Sequence, residues 1–190
     1  VTIASAELWK KLGNAIHAGW VALVITGIVG GLGFAFQQPW LFPSLGPTIF
    51  IHTVTPNQPG ARPWNTFVGH AVGVAAAFLS LYLFGALNTP SAMIAGHISP
   101  ARIAASALAV ALTIGGQIPL RAAHAPATAT TLLITLGGFP ADISTIMIMV
   151  IGISMATLLC DWGRRLMSRM LPFLHTEDTG TMPPNTPPDI

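Results

Sequence analysis

Phe42-Pro43-Ser44-Leu45-Gly46-Pro47-Thr48-Ile49-Phe50-Ile51 and His124-Ala125-Pro126-Ala127-Thr128-Ala129-Thr130-Thr131-Leu132-Leu133 are the stretches that decide how this chain folds. Each is largely apolar, each carries proline near its start, and each stands between two longer apolar runs. Proline removes a backbone donor and disfavours helix at the residue before it, so neither stretch extends a preceding helix. Broken apolar segments at corresponding places in two halves of a membrane chain point to a transport site. Backbone chemistry gives the reason. Irregular chain at membrane depth persists only where protein or a water-filled cavity satisfies its polar groups. Conduction therefore requires the two segments to face one another across a cavity.

The sequence around them suits a bilayer. Of 190 residues, 52% are hydrophobic and 7% charged, and the mean hydropathy is +0.67. A soluble domain carries about 25% charged residues, so this composition describes an integral membrane protein of one bundle. A net charge of +2 is too small to indicate a nucleic-acid partner. Cys160 is the single cysteine, which excludes an internal disulfide and reads as a buried, inert thiol. Lys10 and Lys11 precede an apolar run without a small-residue cleavage site, so no cleaved signal peptide is expected.

Four runs are long enough to span: about Ala18–Phe36, Thr66–Leu87, Pro100–Ile118 and Ile143–Leu159. The expected fold is an all-α membrane protein with four transmembrane helices plus two broken or re-entrant half-helix segments, arranged as an internal repeat. Pro47 lies 79 residues before Pro126, and the repeat halves cover about 18–87 and 98–160. Whether the broken segments are re-entrant hairpins or kinked full spans stays open. Residues 1–17 read as an N-terminal interfacial helix or arm, and Trp9 within it and Trp20 just after it suit the headgroup level. Residues 18–160 form the transmembrane domain, and 161–190 a C-terminal tail, disordered from Thr176. Lys10, Lys11, Arg164, Arg165 and Arg169 place both termini on the cytoplasmic side. The small-residue pairs Gly27/Gly31, Gly69/Gly73, Ala105/Ala109 and Gly152/Ala156 serve close helix packing, within a protomer or between protomers of a homo-oligomer.

Asp142 is the only carboxylate between Val21 and Leu159, and it stands at a helix start. A cation pathway would lack its usual acidic ligands. The polar groups near membrane depth are rich in donors instead: Thr48, His52, Arg62, Asn65, His70, Arg121, His124, Thr128, Thr130 and Thr131. Half-helix N-termini near Gly46–Thr48 and Ala125–Thr128 would add unpaired N–H groups and a positive dipole end. The candidate binding set is Gly46, Pro47, Thr48, Asn65, His70, Arg121, His124 and Thr128, and the ligand class is a small monoanion. Histidine, with an ordinary pKa of roughly 6.5, allows coupling to protons. No catalytic residue, metal ligand or cofactor is assigned: a triad lacks its carboxylate, and no His/Glu zinc motif occurs. Alternatives are a structural or regulatory membrane subunit and, with less support, a membrane haem protein ligated through His70 or an enzyme.

The ordered series Pro43-Ser44-Leu45-Gly46-Pro47-Thr48, Gln58-Pro59, Arg62-Pro63-Trp64-Asn65 and Gly69-His70 resembles the HPP family of small integral membrane proteins. The family's eponymous His-Pro-Pro is matched by His124-Ala125-Pro126, with Ala125 in place of the first proline. Pro63-Trp64 intervenes between Arg62 and Asn65, a second departure. The resemblance covers about Ala15 to Leu159. It implies four spans and, from cyanobacterial and plastid members, nitrite transport across a bacterial inner membrane or plastid inner envelope, the basic residues above then placing both termini on the cytoplasmic or stromal side.

Overall fold

Proline placement explains the element boundaries. In the computed structural model, which describes residues 2–170, the helices are α1 (Thr2–Ala35), α2 (Leu45–Val54), α3 (Pro63–Leu83), α4 (Ala92–Ala95), α5 (Pro100–Gln117), α6 (Pro126–Thr135) and α7 (Ile143–Met170). A 3-10 turn at Pro59–Ala61 precedes α3, and no strand occurs among the described residues. Proline opens α3, α5 and α6, where the missing N–H would have had no helical partner. Pro47 sits within the first turn of α2, which tolerates it for the same reason. Asp142 caps α7 by accepting from the Thr145 amide at 3.0 Å and the Ser144 hydroxyl at 2.6 Å. Those bonds, the Ser144 hydroxyl first, hold its carboxyl below the usual carboxylate range.

The two broken segments become helices of ten residues each. Ten residues span about 15 Å, half of a hydrocarbon core about 30 Å thick. Three longer helices have the length and apolarity of membrane spans: Glu7–Ala35, Pro63–Leu83 and Ile143–Gly163. The fourth expected span, α5, has 18 residues but a polar inner face, with Arg102, Ser106, Thr113 and Gln117 all buried. Those side chains lower its hydropathy because they serve neighbouring helices.

Two of the expected divisions fall within continuous helices. No break separates an arm at 1–17 from the first span, because α1 runs unbroken from Thr2 to Ala35. The first turns are helix-compatible, and an exposed Glu7–Lys11 pair at 3.3 Å reinforces them. Likewise α7 continues past residue 160 to Met170, and the pair Asp161–Arg165 at 2.9 Å lies along that extension. The tail expected to be disordered from Thr176 lies outside the described residues.

Packing crosses between the halves of the chain. α3 lies against α5 and α6, whereas α7 lies against α1 and α2. Leu45, Ile49, Leu81, Ala105, Ile134, Met149 and Ile153 form part of the buried apolar core. In lipid, close approach rather than hydrophobic drive holds helices together, and the small residues provide it. A Cβ at Gly73 would stand 2.7 Å from Thr131 Oγ1, and one at Gly152 would stand 2.7 Å from the Phe42 ring. Gly27 and Gly31 differ, with open space beside them. Around them α1 exposes Leu12, Ile16, Trp20, Leu23 and Phe34, a surface suited to acyl chains.

Candidate functional site

The first turn of α2 meets the start of α6 at a buried polar centre, and α3 closes it from the side. Ser44, just before α2, and Thr48, on its first turn, are fully buried. His70 of α3 and His124, two residues before α6, are each 1% exposed. The Thr48 hydroxyl donates to the Ser44 carbonyl at 2.9 Å. The Nε2 atoms of His70 and His124 stand 3.3 and 3.4 Å from the same hydroxyl oxygen. The two rings pack edge to face, with centroids 4.9 Å apart.

The far side of each ring is fixed. His124 Nδ1 is 2.8 Å from the Gly60 carbonyl, which only accepts, so Nδ1 carries hydrogen. The Thr130 hydroxyl donates to Ser44 Oγ at 2.7 Å. Its bond to His70 Nδ1 at 2.8 Å is therefore donated by the ring. The path Ser44–Thr130–His70–Thr48–His124–Gly60 thus links α2, α3, α6 and the turn at Pro59–Ala61.

Supporting contacts hold the α6 side in place. Gln117 accepts from the His124 amide at 3.0 Å and donates to the His124 carbonyl at 3.4 Å. Asn65 donates to the Ala123 carbonyl at 3.1 Å. Gly69 allows α3 to approach, since a Cβ there would stand 2.7 Å from His124 Cβ and 3.1 Å from the Ala122 carbonyl. Thr113 meets Thr131 at 2.9 Å, and Ser106 meets Thr135 at 2.8 Å, so α5 and α6 share a ladder of hydroxyls.

Of the residues singled out from sequence, Thr48, His70 and His124 come together, and Asn65 supports the loop leading to His124. Gly46 and Pro47 lie exposed beside Thr48. Thr128 donates to the Ala125 carbonyl of its own turn at 2.7 Å. Arg121 is exposed in a left-handed conformation, φ 49°, in the turn after α5, and contributes no contact to the centre. Short-range spacing to His124 had drawn attention to it, but the turn carries its side chain away.

Two further expectations are corrected. The half-helix N-termini do not present free amides: Leu45 bonds the Phe42 carbonyl, Gly46 that of Pro43 and Thr48 that of Ser44. At α6, Ala127 bonds the His124 carbonyl and Thr128 that of Ala125. Tight turns before each helix consume the donors, and Pro47 and Pro126 have none to offer. Nor do the proline segments face each other across a cavity, since their side chains bond directly. A cavity of about 320 Å³ lies elsewhere, near the C-terminal end of α6, lined by Thr89, Ser91, Arg102, Gly137 and Phe139 among others.

Ser44, Thr130, Gln117 and the Gly60 carbonyl had not been assigned to the site. Polar residues in apolar helices were the available signal for Thr130 and Gln117; a backbone carbonyl leaves none. Arg102 was also missed. It is 4% exposed and donates to the carbonyls of Thr89, Pro90 and Thr135, capping the end of α6. Gly137, at φ 81°, lets the guanidinium approach, because a Cβ would lie 2.8 Å from Nη2.

The geometry defines an all-helical membrane protein with two half-length helices joined at a buried hydroxyl–imidazole centre. Residues 5–166 match the family described as HPP, transmembrane region, and the chain belongs to that family. No curated protein and no solved structure matches it.

Proposed function

We propose that this HPP-family protein carries a small inorganic monoanion, nitrite foremost, across the membrane through the centre of Thr48, His70 and His124. The observation that supports this reading most is the meeting of two half-length helices, by their N-terminal turns, around buried polar side chains. Ionisable side chains are costly inside a membrane, and their presence there is a default pointer to a functional site. The N-terminal dipole ends favour negative charge, and no acid stands in the centre to oppose it. With the amides engaged, side chains carry the binding.

The same reading holds that α1, α3, α5 and α7 all span and that α2 and α6 are paired broken segments of an internal repeat. The crossed packing supports it, since α3 seats on the first two helices of the second half and α7 on those of the first. Residues 1–17, 18–160 and 161–190 remain the proposed functional divisions. Both termini face the cytoplasm or stroma, in a bacterial inner membrane or plastid inner envelope, and protomers associate. The cavity that conduction was expected to require between the two segments is absent here, because their side chains bond directly, so passage in this reading needs α2 and α6 to separate and open one.

Thermal unfolding of the purified protein in detergent tests the reading, with nitrite, nitrate, chloride, formate and bicarbonate compared. A ligand of the folded state raises stability by RT ln(1 + [L]/Kd). Nitrite is expected to raise Tm in a concentration-dependent way, and Thr48→Val to abolish the rise. If no anion shifts Tm more than an equal concentration of inert salt, the transport reading fails.

A further inference from the structure

The hydrogens of the centre do not balance. His124 gives its Nδ1 hydrogen to the Gly60 carbonyl, and His70 gives its own to Thr130. In neutral rings both Nε2 atoms then carry lone pairs, and both point at Thr48 Oγ1. Thr48 has one hydrogen, within reach of the Ser44 carbonyl and both lone pairs. At least one imidazole nitrogen is left without a donor inside a buried site, an arrangement that is costly. An approaching anion meets the same shortage, because it too needs donors and finds only the Thr48 hydroxyl hydrogen facing the two lone pairs.

One added proton resolves both problems. We infer that the Thr48–His70–His124 centre takes up one proton with each anion, so that the cargo is a proton and a monoanion together. The inference rests on the transport reading above. The Nε2 lone pair of one ring takes the proton, most directly His124, and the new N–H donates to Thr48 Oγ1 or to an anion oxygen. No bond of the anion changes, and release returns the proton from the same nitrogen.

The surroundings make the coupling strict. From α2, His52 faces Thr66 of α3, with Nε2 and Oγ1 3.0 Å apart. Arg62 at the start of α3 and Arg121 after α5 are exposed, while α5 contributes the neutral Gln117 and α6 only threonines. Of the acids among the described residues, Glu7 and Asp142 stand near the starts of α1 and α7, and Asp161 lies in the C-terminal third of α7, paired with Arg165. A buried imidazolium here has no carboxylate to balance it, and an isolated buried charge is strongly disfavoured. The anion supplies that balance. Transport is then electroneutral, driven by a pH gradient and indifferent to membrane potential.

Calorimetric titration of nitrite into the purified protein, repeated in buffers of different ionisation enthalpy, counts protons directly. One proton taken up per nitrite bound is the expected result. His124→Asn keeps a donor for Gly60 but removes Nε2, and is expected to reduce uptake to zero. Nitrite binding by the wild-type protein with no buffer dependence overturns the coupling and leaves the transport reading standing. Absence of nitrite binding in every buffer overturns both. In proteoliposomes, uptake that follows an imposed potential at constant pH also overturns the coupling.

Discussion

α2 and α6 are both ten-residue half-helices, yet they are held very differently. α6 is fastened along its length. Gln117 clasps His124 before it, Gly69 and Gly73 bring α3 against its first turns, and Thr113 and Ser106 bond its threonines. Arg102 caps its end. α2 leaves Gly46, Pro47 and Phe50 exposed, packs on α1 and α7, and reaches the centre through Ser44 and Thr48 at its start, while His52 near its end bonds Thr66 of α3. α6 is therefore the more firmly tied of the two, and in the proposed transport cycle α2, which packs on α1 and α7, is the side that moves. Opening a closed site needs one such partner.

Substitutions can break or sharpen that contrast. The largest effect is expected at α6. Gly73→Val inserts a branched side chain where Thr131 Oγ1 and the Ala127 carbonyl stand 2.7 and 2.9 Å from a Cβ. It should destabilise by about 1–3 kcal/mol in a denaturation series in detergent, as overpacking does. Its counterpart Gly46→Ala meets nothing within 4 Å and lies in a helix. It should be neutral or stabilising by up to about 1 kcal/mol. Equal losses at both positions would remove the distinction between the two half-helices.

An effect of similar size is expected where the two helices join. Thr130→Val keeps shape but cuts the bonds to Ser44 and His70. Loss of a buried partner costs about 1–3 kcal/mol, and with the tie between the half-helices gone, protease or exchange sensitivity should rise in α2 more than in α6. The smallest effect belongs to Arg121→Gln. An exposed turn residue outside the centre should change stability by no more than about 0.5 kcal/mol and leave nitrite binding unaltered. A tenfold loss of affinity there would return Arg121 to the site.

Much of this was legible because it rests on periodicity and punctuation. Apolar runs bounded by proline placed α3, α5 and the two half-helices within a few residues, and Asp142 marked the start of α7. Thr48, His70 and His124 were legible as polar groups in apolar company. The continuity of α1 was not, because Trp9 and the charges around it read as an interface while remaining compatible with helix. The placement of Arg121 outside the hydrogen-bonded centre was not legible for a related reason. Nearness to His124 along the chain says nothing about direction once a left-handed turn intervenes.

Composition and proline spacing, by themselves, determined that the chain is a helical membrane protein with two interrupted segments, since those features depend on local backbone chemistry and the bilayer's intolerance of unpaired groups. Only the tertiary structure decided which polar groups share a hydrogen-bonded path. Ser44, Thr130 and the Gly60 carbonyl come from separate stretches, and their partnership is a matter of distance across helices. It also decided that the amides at both helix starts are already engaged, because turn geometry, which no residue count reveals, determines where each backbone donor points.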